Sequence, residues 1–128
     1  MGRFESCLGT MIVIDMDPMP APRMVRSDKW AKRPVVTKYF AWRQEFVMKC
    51  NVAGWKLGPK LWVVFYVPMP KSWPEKKKLE MRGVFHTQRP DLDNMVKSVC
   101  DAFGVDDGYV HTLHAVKAWG IKGRIELY

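Results

Sequence analysis

Cysteine is scarce in this chain: Cys7, Cys50 and Cys100 are odd in number and far apart. No C-x-x-C pair occurs, which argues against a zinc ribbon or a disulfide framework and leaves reduced thiols in a cytoplasmic compartment as the simplest account. Long apolar runs are missing as well, so no stretch is able to span a bilayer. The first apolar run, Met11 to Ile14, is too short for a secretory signal and leads into Asp15 and Asp17. Serine-nucleophile and glycine-rich phosphate-loop patterns are absent, and nothing points to a small-molecule organic cofactor. His86 is isolated; His111 and His114 would face opposite ways on a strand, which argues against a shared zinc. Negative charge is the remaining scarcity. Against 21 Lys and Arg stand 13 Asp and Glu, a formal net charge of +8. That balance suggests a polyanionic partner, nucleic acid before an anionic membrane surface. A membrane role is disfavoured because no amphipathic basic helix appears.

What is present suffices for one domain of 128 residues, with 48% hydrophobic residues and six Trp for a single modest core. Met11 to Met16 reads as a first strand, closed by the proline-broken turn Asp17 to Pro22. Arg23, Arg26, Lys29, Lys32 and Arg33 then place five cations within eleven residues around Trp30. They suit either a phosphate-contacting arm or a solvated loop. Lys38 to Ala53 is predicted helical, with Phe40, Phe46, Val47 and Cys50 at roughly helical spacing, its aromatics assigned to the core, and a stop at Gly54. The continuous run Leu61 to Val67 predicts a strand covered on both faces. Lys71 to Gly83 reads as a polar loop whose Lys76, Lys77 and Lys78 either meet a phosphate backbone or are simply solvated. Leu92, Met95, Val96, Val99, Cys100 and Phe103 predict a helix with one buried face, ended by Gly104. Asp93, Asn94, Lys97, Ser98 and Asp101 fall on its other side. Val110 to Trp119 and Gly123 to Tyr128 read as two closing strands. The expected fold is therefore α+β, a small single domain over residues 1–128 with a mixed sheet of about four strands and two helices in the order β-α-β-α-β-β.

Arg89 to Val110 stands out because five of the thirteen acidic residues, Asp91, Asp93, Asp101, Asp106 and Asp107, fall there. Pro90 favours a helix start just after it, so Asp91 suits an N-cap and Asp93 the favourable first turn. Capping explains those two but not Asp106 and Asp107, which follow the helix C-terminus, where negative charge is disfavoured; they also suit an ordinary turn. If Asp91, Asp93 and Asp107 converge, their mutual repulsion calls for a hard cation such as Mg²⁺, which takes oxygen ligands and keeps waters usable for phosphodiester hydrolysis. Convergence requires the chain after the helix to run back along it. Lys97 either stabilises developing charge or forms an i, i+4 ion pair with Asp93.

The run Pro90, Asp91, Asp93, Asn94, Lys97, then Asp101-Ala102-Phe103, then Asp106-Asp107 and Val110 resembles the RusA family of Holliday junction resolvases, whose motif is approximately P-D-x-D-N-x-x-K, D-A-(L/F) and D-D-x-Q-V. The likeness extends more loosely over most of residues 11–119. It implies a Mg²⁺-dependent endonuclease that acts as a homodimer on four-way DNA junctions. The family's metal-binding and catalytic carboxylates then correspond to Asp91, Asp93 and Asp107, and its active-site lysine to Lys97. Arg23, Arg26 and Lys76 to Lys78 would contact DNA. Two departures are visible: Tyr109 stands where the family usually has Gln, and the link from Phe103 to Asp106 is short. Two alternatives remain open, a non-catalytic DNA-binding protein and a nuclease for other branched DNA such as flaps or forks.

Overall fold

The computed structural model describes residues 11–22, 33–106 and 108–128. The order is β1 (Ile12–Ile14), α1 (Pro34–Ala53), β2 (Lys60–Pro68), α2 (Glu75–Met81), α3 (Leu92–Ala102), β3 (Thr112–Gly120) and β4 (Arg124–Leu127). The four strands form one mixed sheet in the order β1-β4-β2-β3. β2 and β3 are parallel, and β4 pairs antiparallel with both β1 and β2. A parallel pair needs a long crossover; here the connection from β2 to β3 carries α2 and α3. The α+β expectation therefore stands, with one helix more than anticipated.

The added helix, α2, corrects the reading of Lys71 to Gly83 as a loop. Lys, Glu, Leu and Met are all good helix formers, and Pro74 occupies the N-cap. The helix is seven residues long and buries none of them, so it leaves no periodic signature. α1 starts earlier than expected, with Pro34 in its first turn, a position where the missing N–H costs nothing. Its C-cap is Gly54 in the left-handed region at φ 79°, where it donates to the Asn51 and Cys50 carbonyls.

α1's buried stripe is Val36, Tyr39, Trp42, Phe46 and Cys50; Phe40, expected on that stripe, is exposed. Trp42 stacks on Phe46 at 5.0 Å between centroids, and Phe103 meets Phe46 edge-on at 6.1 Å. α3 adds Met95, Val99 and Cys100, and the sheet adds Leu61, Val63, Phe65, Ile125 and Leu127. Ser98, expected on α3's polar side, is fully buried, its hydroxyl donating to the Met95 carbonyl at 2.6 Å.

β2 is not covered equally on both faces. Leu61, Val63 and Phe65 are buried under the helices, whereas Trp62, Val64 and Tyr66 are half-buried on the opposite face. There Trp62 stacks on His114 at 4.6 Å, and the Arg124 guanidinium sits 4.0 Å from the Tyr66 ring centroid while pairing with Glu126. The outer side of β3 is partly protected: Val84 O accepts from Trp119 N and His86 N donates to Lys117 O, both at 2.9 Å. This stretch carries the chain beside β3 toward the start of α3. Cys50 and Cys100 are buried free thiols; burial pushes the Cys50 thiol up to about 12. Among the described residues no helix is long and apolar enough to cross a membrane.

Candidate active site at the start of the third helix

Asp91 occupies the N-cap position of α3, yet its carboxylate makes no capping hydrogen bond. The backbone takes the helical turn without it, with Met95 N donating to Asp91 O at 3.2 Å. Side-chain capping therefore does not account for the start of this helix, and the Asp91 carboxylate has no capping role. Asp93 lies in the first turn, where its Oδ1 accepts the neighbouring Asn94 N–H at 3.0 Å. Both side chains belong to exposed residues, and the helix dipole favours negative charge at this end. These are hard oxygen donors with unused lone pairs, a set that suits a divalent cation retaining part of its water shell.

The segment before the five-cation stretch is pinned to this place. Ala21 N donates to Asn94 O at 3.0 Å. Pro20, Ala21, Arg89, Pro90, Asp91 and Asn94 line an open cleft of about 410 Å³. A larger cleft, about 650 Å³, follows the outer face of α1 between Phe40 and Val52. It has no carboxylate in its lining, so its size does not make it the reactive site.

Lys97 projects one turn beyond Asp93. Its Nζ lies 3.3 Å from Asp101 Oδ1, so the ion pair runs forward to Asp101 and not back to Asp93. Asp101 is itself anchored: Tyr39 donates to its Oδ2 at 2.7 Å, and Arg43 donates to its main-chain oxygen at 2.7 Å. Burial, reinforced by the Asp101 carboxylate, pushes the Tyr39 hydroxyl pKa well above its ordinary value. Asp101 thus ties α3 to α1 and is committed to that task.

Among the expected site residues, Asp91, Asp93 and Lys97 share the N-terminal half of α3. Asp106 is exposed at a turn whose Tyr109 N donates to Asp106 O at 2.9 Å. Asp107, Arg23 and Arg26 lie outside the described residues. Among the described residues no group of three or more His, Cys, Asp or Glu comes together as a metal cluster. Lys76, Lys77 and Lys78 ride on α2, where successive residues point about 100° apart, so the three do not form one flat contact row. Lys77 Nζ lies 4.1 Å from the Trp73 ring centroid, Lys76 is exposed and Lys78 is half-buried. His111 Nδ1 is within 2.8 Å of Thr112 Oγ1.

Two residues beside the site carried no signal in the motif. Lys117 on β3 donates to Gln88 O at 2.5 Å and to Pro90 O at 2.6 Å. His86 is buried, 4.3 Å from Trp119 between centroids, and its Nδ1 lacks a hydrogen-bond partner. Burial, followed by the nearby Lys117 charge, lowers the His86 pKa from 6.5. The unfolded chain therefore takes up a proton that the folded protein refuses. This contribution leaves stability unchanged above about pH 6.5 and lowers it progressively below that, until the folded-state pKa is reached. His86→Phe is expected to remove this part of the acid sensitivity. Urea denaturation of both proteins at pH 7.5 and pH 5.5 checks it: the difference between them should shift in the variant's favour at the lower pH.

No curated protein and no solved structure matches the chain. The family model described as endodeoxyribonuclease RusA matches residues 16–128, nearly the whole chain, including α3 and the motif that opens it, and the protein belongs to the RusA family.

Proposed function

We propose that this protein is a Mg²⁺-dependent endodeoxyribonuclease that resolves four-way DNA junctions by phosphodiester hydrolysis, serving DNA recombination and repair. The observation that carries this reading is the Asp91 carboxylate, which stands at a helix N-terminus without capping it, beside Asp93, in a chain that belongs to an endodeoxyribonuclease family.

Asp91, Asp93 and Asp107 form the ligand set. When bound there, Mg²⁺ would supply an activated water and neutralise charge on the phosphate. Asp91 and Asp93 orient the scissile phosphate by fixing the position of that charge at the end of α3. Lys97 is tethered through Asp101 and offers its ammonium to the negative charge that develops during attack. DNA is held through its phosphates by Arg23, Arg26 and the cations of α2, Lys76, Lys77 and Lys78. The pinning of Ala21 to Asn94 supports this, because it starts the chain toward Arg23 from the first turn of α3. Binding of this kind weakens steeply as salt rises. A homodimer suits the substrate, since a four-way junction has symmetry-related strands to cut and a two-fold protein presents two sites. With buried free thiols, the protein acts in the reducing cytoplasm.

Asp107→Asn tests the third carboxylate. The variant is expected to bind a labelled four-way junction in a gel-shift assay as the parent does, and to lose incision in Mg²⁺. Unchanged incision would remove Asp107 from the site. Flapped, forked and linear duplexes run alongside separate junction resolution from a broader branched-DNA nuclease. Binding without metal-dependent incision of any substrate by the parent protein would leave a DNA-binding role alone.

A further inference from the structure

Lys117 occupies an unusual place for a lysine. In the parallel register of β2 and β3 it stands beside Phe65, which is fully buried on the helix-covered face. Neighbours at the same alternation, Ala115 and Trp119, are half-buried and buried. An apolar β-branched residue would satisfy the packing of that position, and an ammonium there costs desolvation unless it is held by acceptors. Its acceptors are backbone: Gln88 O at 2.5 Å and Pro90 O at 2.6 Å. The two carbonyls flank Arg89, and the next residue is Asp91. Among the described residues no carboxylate forms an ion pair with Lys117. Its contacts therefore end one residue before Asp91, at the start of α3.

We propose that Lys117 is a positioning residue of the nuclease site: its ammonium clamps the 88–90 segment from the sheet side and so fixes the direction in which Asp91 enters α3. The inference rests on the reading of Asp91 and Asp93 as cation ligands. The clamp acts at two points because an ammonium has three donors and can serve both carbonyls at once. A methionine of similar length fills the space and serves neither. The Asp91 backbone is then free to turn, and the two carboxylates no longer present a fixed pair of oxygens to one cation.

The test uses the full chain and Mn²⁺ alone as probe, with free Mn²⁺ read by electron paramagnetic resonance in the absence of DNA. The parent protein should bind Mn²⁺, and Asp91→Asn should not. Lys117→Met should bind at least about tenfold more weakly, the range seen when groups that orient metal ligands are removed. Lys117→Arg, which keeps the charge and the N–H donors, should recover most of that loss; a merely structural lysine would show no such link between donors and metal affinity. Circular dichroism establishes that each variant is folded. Lys117→Gln, neutral but still a donor, replaces the Met variant if the latter loses its fold, and an intermediate affinity is then expected. A folded Met or Gln variant that binds Mn²⁺ as tightly as the parent overturns the proposal while leaving the site itself intact. A parent protein that neither binds Mn²⁺ nor cuts DNA overturns the underlying reading, and the proposal with it.

Discussion

Asp91→Asn is expected to reduce incision of a four-way junction by roughly 10²–10⁴-fold, the rate equivalent of losing several kcal/mol of metal-mediated stabilisation. Stability should barely change. The carboxylate makes no cap hydrogen bond, so the variant forfeits only its favourable position at the helix dipole, about 0.3–1 kcal/mol. Junction binding should persist, because the cations proposed to hold phosphate are untouched. For a residue present only to cap the helix, Asn, an equally good N-cap, would leave incision unaffected, and Asp91→Ala would cost about 1 kcal/mol of stability. Single-turnover incision and urea denaturation on the same preparation distinguish the two.

Phe46→Ala carries the largest expected loss of stability, about 3–5 kcal/mol. Phe46 is fully buried, stacked on Trp42 and met edge-on by Phe103. Phe103 also meets Trp55 at 5.6 Å, so this ring joins α1 to the end of α3 and to the chain beyond α1. A loss of that size is a large part of the roughly 5–15 kcal/mol that holds a domain of this kind together. Phe40→Ala is the control on the same helix. That ring is 43% exposed and touches the Arg43 guanidinium at 5.3 Å, a contact of about 0.5–1 kcal/mol. Equal midpoints for the two variants in urea would mean that α1 buries a different face.

The contrast between Phe46 and Phe40 also shows where the sequence stops being readable. α1 carries apolar residues around much of its circumference, so spacing alone does not choose its buried face. Its partners choose it: Trp42 Nε1 donates to Asp17 O at 2.7 Å, and Tyr39 reaches Asp101. α3 was legible because its apolar residues occupy one side, and β2 because its run is long and β-rich. Ser98 escaped because a short hydroxyl can turn back onto its own helix and pass for apolar. α2 escaped because seven residues with no buried face leave no period to detect. The predicted start at Lys38 fell a turn late, because Pro34 opens the first turn of α1.

The same division runs through the site. Asp91, Asp93 and Lys97 were legible as types at a spacing, and α3 carries all three in its first two turns. What spacing could not give was the state of each side chain. The Asp91 carboxylate leaves the cap unused, and the Lys97 ammonium takes Asp101 as its partner in place of Asp93. Lys117 lies outside the motif, twenty residues beyond Lys97, and its signal was a cation at a core-facing position of a strand. That signal is visible only once the register of β3 against β2 is known.

On the function proposed above, the carboxylates at the start of α3 serve a metal-dependent junction nuclease. The most direct measurement is incision of an end-labelled synthetic four-way junction, with Mg²⁺ and with excess chelator, beside a linear duplex of the same sequence. The expected result is incision of the junction at symmetry-related positions in Mg²⁺, none with chelator, and little on the linear duplex. Junction binding with no incision in Mg²⁺, or incision that survives the chelator, would contradict it.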